Sequence, residues 1–151
     1  MSTVRNKIWL VIGVLAMLAL TVAACGSASP GAEDSEMASG DLTKNSDGYV
    51  DISVEQLADM LEDKDFTLVN VHIPYEGEIP QTDQFIPYDE IVAYQDQLPD
   101  KDATIVLYCR SGSMSTSAAK ELVELGYSNV LEVDGGFNAW AAAGYELLHK
   151  E

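Results

Sequence analysis

Residues 108–115 read Y-C-R-S-G-S-M-S and directly follow the apolar run T-I-V-L at 104–107. A thiolate is a nucleophile, and this loop has the parts that make one. Gly112 lets the chain curl tightly, while Ser111, Ser113 and Ser115 are too small to obstruct it. The backbone N–H groups from Arg110 through Met114 to Ser115 can therefore converge on the Cys109 sulfur. A helix opening near Met114 or Ser115 adds its positive end. Helix N-termini and nearby cations lower a cysteine pKa from about 8.5 to roughly 3.5–7.5, and Arg110 brings a cation to an acidic chain. The same ring of donors would bind an anionic substrate or hold a persulfide. A buried, inert thiol is the alternative, since free cysteine is among the most buried residue types. The glycine-serine loop argues against it.

Two further chemistries bear on this cysteine. The phosphatase signature C-x5-R requires an arginine six residues on, where this chain has Ser115. Cys109, His72 and Met114 together would offer soft-metal ligands, but no spaced ligand pair accompanies them, and no cofactor is expected. His72 is read either as a group bordering the loop or as a hydrogen-bonded structural residue.

The elements that must position this loop are legible from Tyr49 onward. Y-V-D-I at 49–52 is a short strand candidate. Ser53 and Gln56 form the pattern of a capping box opening an amphipathic helix with Val54, Leu57, Met60 and Leu61 on one face. F-T-L-V-N-V at 66–71 and T-I-V-L-Y at 104–108 are near-continuous apolar runs, as expected of strands covered on both faces. Between them, Asp89 is placed to cap a helix running to about Leu98, stopped by Pro99. Ser115 to Leu125 has helical periodicity ending at Gly126, and N-V-L-E-V at 129–133 is the next strand. Gly135 and Gly136 then turn the chain into a short Ala-rich helix, bringing the backbone close to the cysteine loop, with Trp140 in the core. Alternating strands and helices predict an α/β domain over 49–151, a central parallel sheet with helices on both faces. In such sheets ligands bind at the C-terminal strand ends, where Cys109 lies.

C-R-S-G-S-M-S at a strand end, followed by a helix and then G-G-F-N-A-W at 135–140, resembles a single-domain rhodanese, a sulfurtransferase module. The resemblance covers about residues 49–145. It implies that Cys109 takes the outer sulfur of thiosulfate or a similar donor, holds it as a persulfide, and passes it to a thiol or other nucleophile, with Arg110, Ser111, Gly112, Ser113, Met114 and Ser115 as the cradle. Two departures matter. Met114 stands where related loops commonly carry an arginine, which removes a bidentate grip on a sulfonate-like donor. The stretch N-V-H-I-P at 70–74, continuing Y-E-G-E, replaces a more usual D-V-R and brings Glu76 and Glu78 toward the site. A less charged donor, a polysulfide or protein persulfide, is then expected over thiosulfate. A catalytically idle module of the same fold, binding a partner or small anion, is the competing reading.

The N-terminal residues address location. Arg5 and Lys7 precede 17 uncharged residues at 8–24, whose end runs into the cysteine as V-A-A-C-G at 22–26. This is the layout of a secretory signal, and its end resembles a bacterial lipobox, which implies residues 1–24 as signal peptide and Cys25 as the lipidated anchor. An uncleaved membrane helix and a freely secreted protein are the alternatives. Residues 25–48, rich in Ser, Gly and acids, read as a flexible linker. The expected location is extracytoplasmic, at the membrane of the cell envelope. Cleavage would reduce the 8 Lys and Arg to 6 against 25 Asp and Glu, a net charge near −19 in place of −17. Phosphate backbones demand a basic face, so nucleic acid is excluded as a partner. The expected partners are a small sulfur-containing anion or persulfide donor, a thiol or protein acceptor, and the membrane through its anchor. With Cys25 lipidated, Cys109 has no internal disulfide partner, and a lone thiol outside the cytoplasm is either inert or deliberately reactive.

Overall fold

A computed structural model describes residues 42–149. The expected signal peptide, Cys25 and the linker up to residue 41 lie outside the described residues. The chain is tied to the domain before Tyr49. Asn45 closes a turn, its N–H bonding Tyr49 O at 2.7 Å, and Asp47 pairs with Lys120 at 3.0 Å.

Five parallel strands form one sheet in the order β1-β5-β4-β2-β3: β1 Val50–Ile52, β2 Thr67–Asn70, β3 Gln84–Phe85, β4 Thr104–Tyr108 and β5 Asn129–Val133. Three helices cover it: α1 Val54–Glu62, α2 Ser113–Glu124 and α3 Gly136–Ala142. In α1 the capping box is complete, with Gln56 N–H donating to Ser53 Oγ at 3.2 Å and Ser53 N–H to Gln56 Oε1 at 2.8 Å. Side chains alternate across each strand, so the central strands feed two cores. Val106, Tyr108, Leu68 and Val133 pack with Leu57, Leu61, Phe137 and Trp140 of α1 and α3. Ile105, Leu107, Val69 and Val130 pack with Ala118, Ala119 and Leu122 of α2 on the opposite face. Helices therefore lie on both faces.

Two departures from the sequence pattern occur in the long segment between β2 and β4. The helix expected from Asp89 to Leu98 is two separate 3-10 turns, Tyr88–Glu90 and Gln95–Gln97. Only Ile91 and Leu98 are buried there, while Val92 and Tyr94 are exposed. Two anchors seven residues apart hold a loop down without supplying the continuous stripe a helix needs, and no side chain caps either turn. The two-residue edge strand β3 was too short to show any alternation.

Candidate active site

Leaving β2, the chain passes to β3 on one side; leaving β4, it passes through α2 to β5 on the other. The C-terminal ends of β2 and β4, paired at Asn70 and Tyr108, thus flank the switch point of the sheet, where open α/β folds form their binding crevice. Cys109 follows β4 and His72 follows β2. Together with Arg110, Ser111, Ser113 and Met114 they line a cavity of about 150 Å³.

The Cys109 side chain lies at the cavity's floor, its residue only 1 % exposed. Gly112 N–H donates to Sγ at 3.1 Å, and Ser115 Oγ lies 3.4 Å from it. Gly112 is the N-cap of α2, with φ 99°, a backbone state that side chains with a Cβ rarely adopt. A Cβ there would have ordinary room, 3.7 Å from Glu132 Oε1. Conformation, not space, therefore selects glycine. The first-turn amides of α2 have no partner within the helix, and this turn sends them toward the sulfur. Burial pushes the Cys109 thiol up, but the Ser115 hydroxyl and the amides of Ser115, Ser111 and Met114 more than offset it. The net result is a thiol below its ordinary pKa.

A second glycine acts through space. Gly136 opens α3 so close to the cysteine loop that a Cβ would stand 2.1 Å from Cys109 O. That approach lets Phe137 N–H and Asn138 N–H bond the carbonyls of Cys109 and Arg110 at 2.9 and 3.0 Å. The loop is thereby clamped from behind while its amides face the sulfur.

The opposite rim is built by the segment after β2. His72, 3 % exposed, bonds Glu76 Oε2 through Nε2 at 3.0 Å, and Glu76 in turn holds Arg110 Nη1 at 3.1 Å. The His72 ring, more than Arg110, keeps the Glu76 carboxyl below its ordinary pKa. Arg110, which the sequence placed as a cation for the thiolate, engages this carboxylate instead. His72 Nδ1 is buried without a hydrogen-bond partner. Met114 lines the cavity and also packs on the α2-side core, so its thioether occupies wall where a cation would change the field. Glu78 is buried, its backbone bonded both ways to Leu148. Tyr108 anchors the segment, accepting from Ile79 N–H at 3.0 Å and bonding Thr82 Oγ1 at 2.7 Å.

One site residue escaped the sequence analysis. Glu132 of β5, 1 % exposed, lies 2.5 Å from Ser115 Oγ. The available signal was a charged residue inside N-V-L-E-V, a run expected to be covered on both faces.

Comparison with known proteins agrees with this geometry. The rhodanese-like domain family matches residues 53–143. A sulfurtransferase of Allochromatium vinosum is 37 % identical over 105 residues, covering 67 % of this chain and 96 % of that protein. The thiosulfate sulfurtransferase GlpE of Pseudoalteromonas translucida is 31 % identical, covering 66 % and 95 %. Among solved structures, a rhodanese-related protein from Thermoplasma volcanium superposes with TM-score 0.59 at 27 % identity, over 68 % of this chain and all of that one. A rhodanese-like domain protein from Staphylococcus aureus gives 0.57 at 28 %, over 67 % and 98 %. With a cysteine cradled at the switch point of a parallel sheet, and relatives that are sulfurtransferases, the chain belongs to the rhodanese family.

Proposed function

We propose that this chain is a membrane-tethered, extracytoplasmic carrier of sulfane sulfur that forms a persulfide on Cys109. The observation that carries the reading is the Gly112 amide 3.1 Å from Sγ at the floor of an open cavity. The Cys109 thiolate attacks the sulfane sulfur of a donor. A new S–S bond forms, the donor's own bond to that sulfur breaks, and the leaving group departs with the electron pair (sulfite, when thiosulfate is the donor). The terminal persulfide sulfur then accepts the same amides. An acceptor thiolate attacks it, and Cys109 leaves as thiolate.

The cavity, about 150 Å³, corresponds to roughly five waters at ~30 Å³ each, room for a small donor or the tip of a persulfide. Glu76 occupies Arg110, and Met114 brings no charge, so the wall is poor in free cations. This favours a polysulfide or protein persulfide over dianionic thiosulfate. The test is intact mass after incubation with each donor, with Cys109→Ala as control. One added sulfur atom on the wild type alone supports the carrier, and faster loading by polysulfide supports the donor preference. Loading by thiosulfate at least as fast would overturn that preference. No adduct from any donor would leave an idle module that binds a partner or small anion.

The tethering half of the proposal rests on the residues before 25 and on Cys25. Expressed with its leader in a bacterium, the chain is expected in the membrane fraction as a processed, acylated species, and Cys25→Ala is expected to abolish both the acylation and the cut before residue 25. A soluble wild-type chain would refute the anchor.

A further inference from the structure

The sulfur chemistry above makes no use of Glu132, yet this carboxyl is buried beside the one group that touches both it and the thiol. Ser115 Oγ lies 2.5 Å from Glu132 Oε1, 3.4 Å from Cys109 Sγ and 3.0 Å from Gly112 O. A hydroxyl has a single proton to donate. If Glu132 is ionised, that proton goes to the carboxylate and the sulfur loses a donor. If Glu132 is neutral, the acid donates to Ser115, whose proton is then free for the thiolate.

The surroundings of Glu132 favour the neutral acid. Asp51 of β1 is its register partner across the sheet, and carboxylate oxygens of Asp51, Glu132 and Asp134 lie within 4.8 Å of one another. Among the described residues none of the three is in an ion pair; Asp51 is held by Asn45 Nδ2 at 2.8 Å, and Lys120 of α2 is engaged with Asp47. The groups facing Glu132 are therefore two acids from β1 and the end of β5, Ser115 from α2, and the thiol behind Ser115. Burial and two like charges both favour the protonated form.

We propose that Glu132 is a positioning residue that takes up the Cys109 thiol proton through Ser115, so that the pair carries a single negative charge held on sulfur. In the step, the S–H bond breaks and its electron pair stays on sulfur. Ser115 Oγ receives that proton and passes its own to Glu132 Oε1. Nothing is oxidised or reduced. The proposal deepens the carrier reading and rests on it, because the thiolate so formed is what attacks the donor. Burial raises the Glu132 pKa to about 7, against the pull of the Ser115 bond, while the Cys109 thiol is lowered toward it. Two such groups titrate as a pair.

The test is the pH dependence of Cys109 alkylation by iodoacetamide in the full 151-residue chain, followed on the peptide containing Cys109 so that Cys25 does not contribute. The wild type is expected to titrate in two steps, the upper one above pH 7 as the pair acquires its second charge. Glu132→Gln is expected to lose the upper step. Ser115→Ala is expected to raise the apparent thiol pKa by about one unit, since a hydrogen bond to a charged group is worth that much or more. Combined with Ser115→Ala, Glu132→Gln should change little further. A single step in the wild type, identical wild-type and Glu132→Gln profiles, or an undiminished Glu132→Gln effect without Ser115 would each overturn the proposal. Should Glu132→Gln not fold, Ser115→Ala decides alone, because a two-step profile surviving at full amplitude refutes the relay. Alkylation needs no sulfur donor. A chain that titrates in two steps but takes no sulfur removes the carrier reading, whereas one that loads sulfur with identical profiles removes only the coupling.

Discussion

Gly136→Ala separates what a glycine does by conformation from what it does by absence of volume. Gly136 (φ 55°) and Gly144 (φ 90°) both sit in the left-handed region. Alanine at either position carries a strain of about 1 kcal/mol. Around Gly144 nothing lies within 4 Å, so Gly144→Ala should cost little more than that. At Gly136 the new Cβ meets Cys109 O at 2.1 Å and the carbonyl carbons of Cys109 and Arg110 at 2.8 Å, all of them backbone. The two segments must separate by about an ångström, which stretches both clamping hydrogen bonds from Phe137 and Asn138 past useful length. Added to that strain, overpacking of about 1–3 kcal/mol and two hydrogen bonds at about 1 kcal/mol each bring the cost to roughly 4–6 kcal/mol. At about 4 °C per kcal/mol for a domain of this size, Gly136→Ala should melt ~16–24 °C below wild type, and Gly144→Ala only ~4 °C below. Thermal unfolding reads the first effect, and alkylation of Cys109 below the melting range reads the second, because the displaced loop no longer aims its amides at the sulfur. Equal melting of the two variants, with Cys109 alkylated at the wild-type rate in both, would refute the clamp.

Glu132→Gln should also flatten part of the pH dependence of stability. The folded pKa, about 7, lies above the ordinary 4.5, so the stabilisation is full below pH 4.5 and is lost as pH rises through 7. That difference of about 2.5 units corresponds to ~3 kcal/mol, and urea midpoints between pH 4.5 and 8 should show it; parallel curves for variant and wild type would refute it. Tyr108→Phe leaves the buried Ile79 N–H unpaired and is expected to cost about 1–3 kcal/mol in urea unfolding. Arg110→Ala should leave thermal stability nearly unchanged, because its ion pair with Glu76 is exposed on both sides. It should nevertheless slow loading from thiosulfate by removing the cation beside the Glu76 carboxylate, which keeps only its bond to His72, and added salt should shrink that difference.

Much of the fold was legible in local chemistry. A capping box, two apolar runs and well-placed glycines are decided by neighbours a few residues apart, so Ser53, Gln56 and Gly112 announce their elements without a partner elsewhere. The segment around Asp89 misled because Ile91 and Leu98 have the spacing of a helix face but lack the buried residues between them. Of the site, the sulfur and its curl of amides were visible for the same local reason. Tertiary structure alone decided that Arg110 turns to Glu76, that Tyr108 pins the chain at Ile79, and that Glu132 lies against Ser115. Those contacts join residues 17 to 34 positions apart. They exist only because β4 is laid between β2 and β5, and no local pattern records that order.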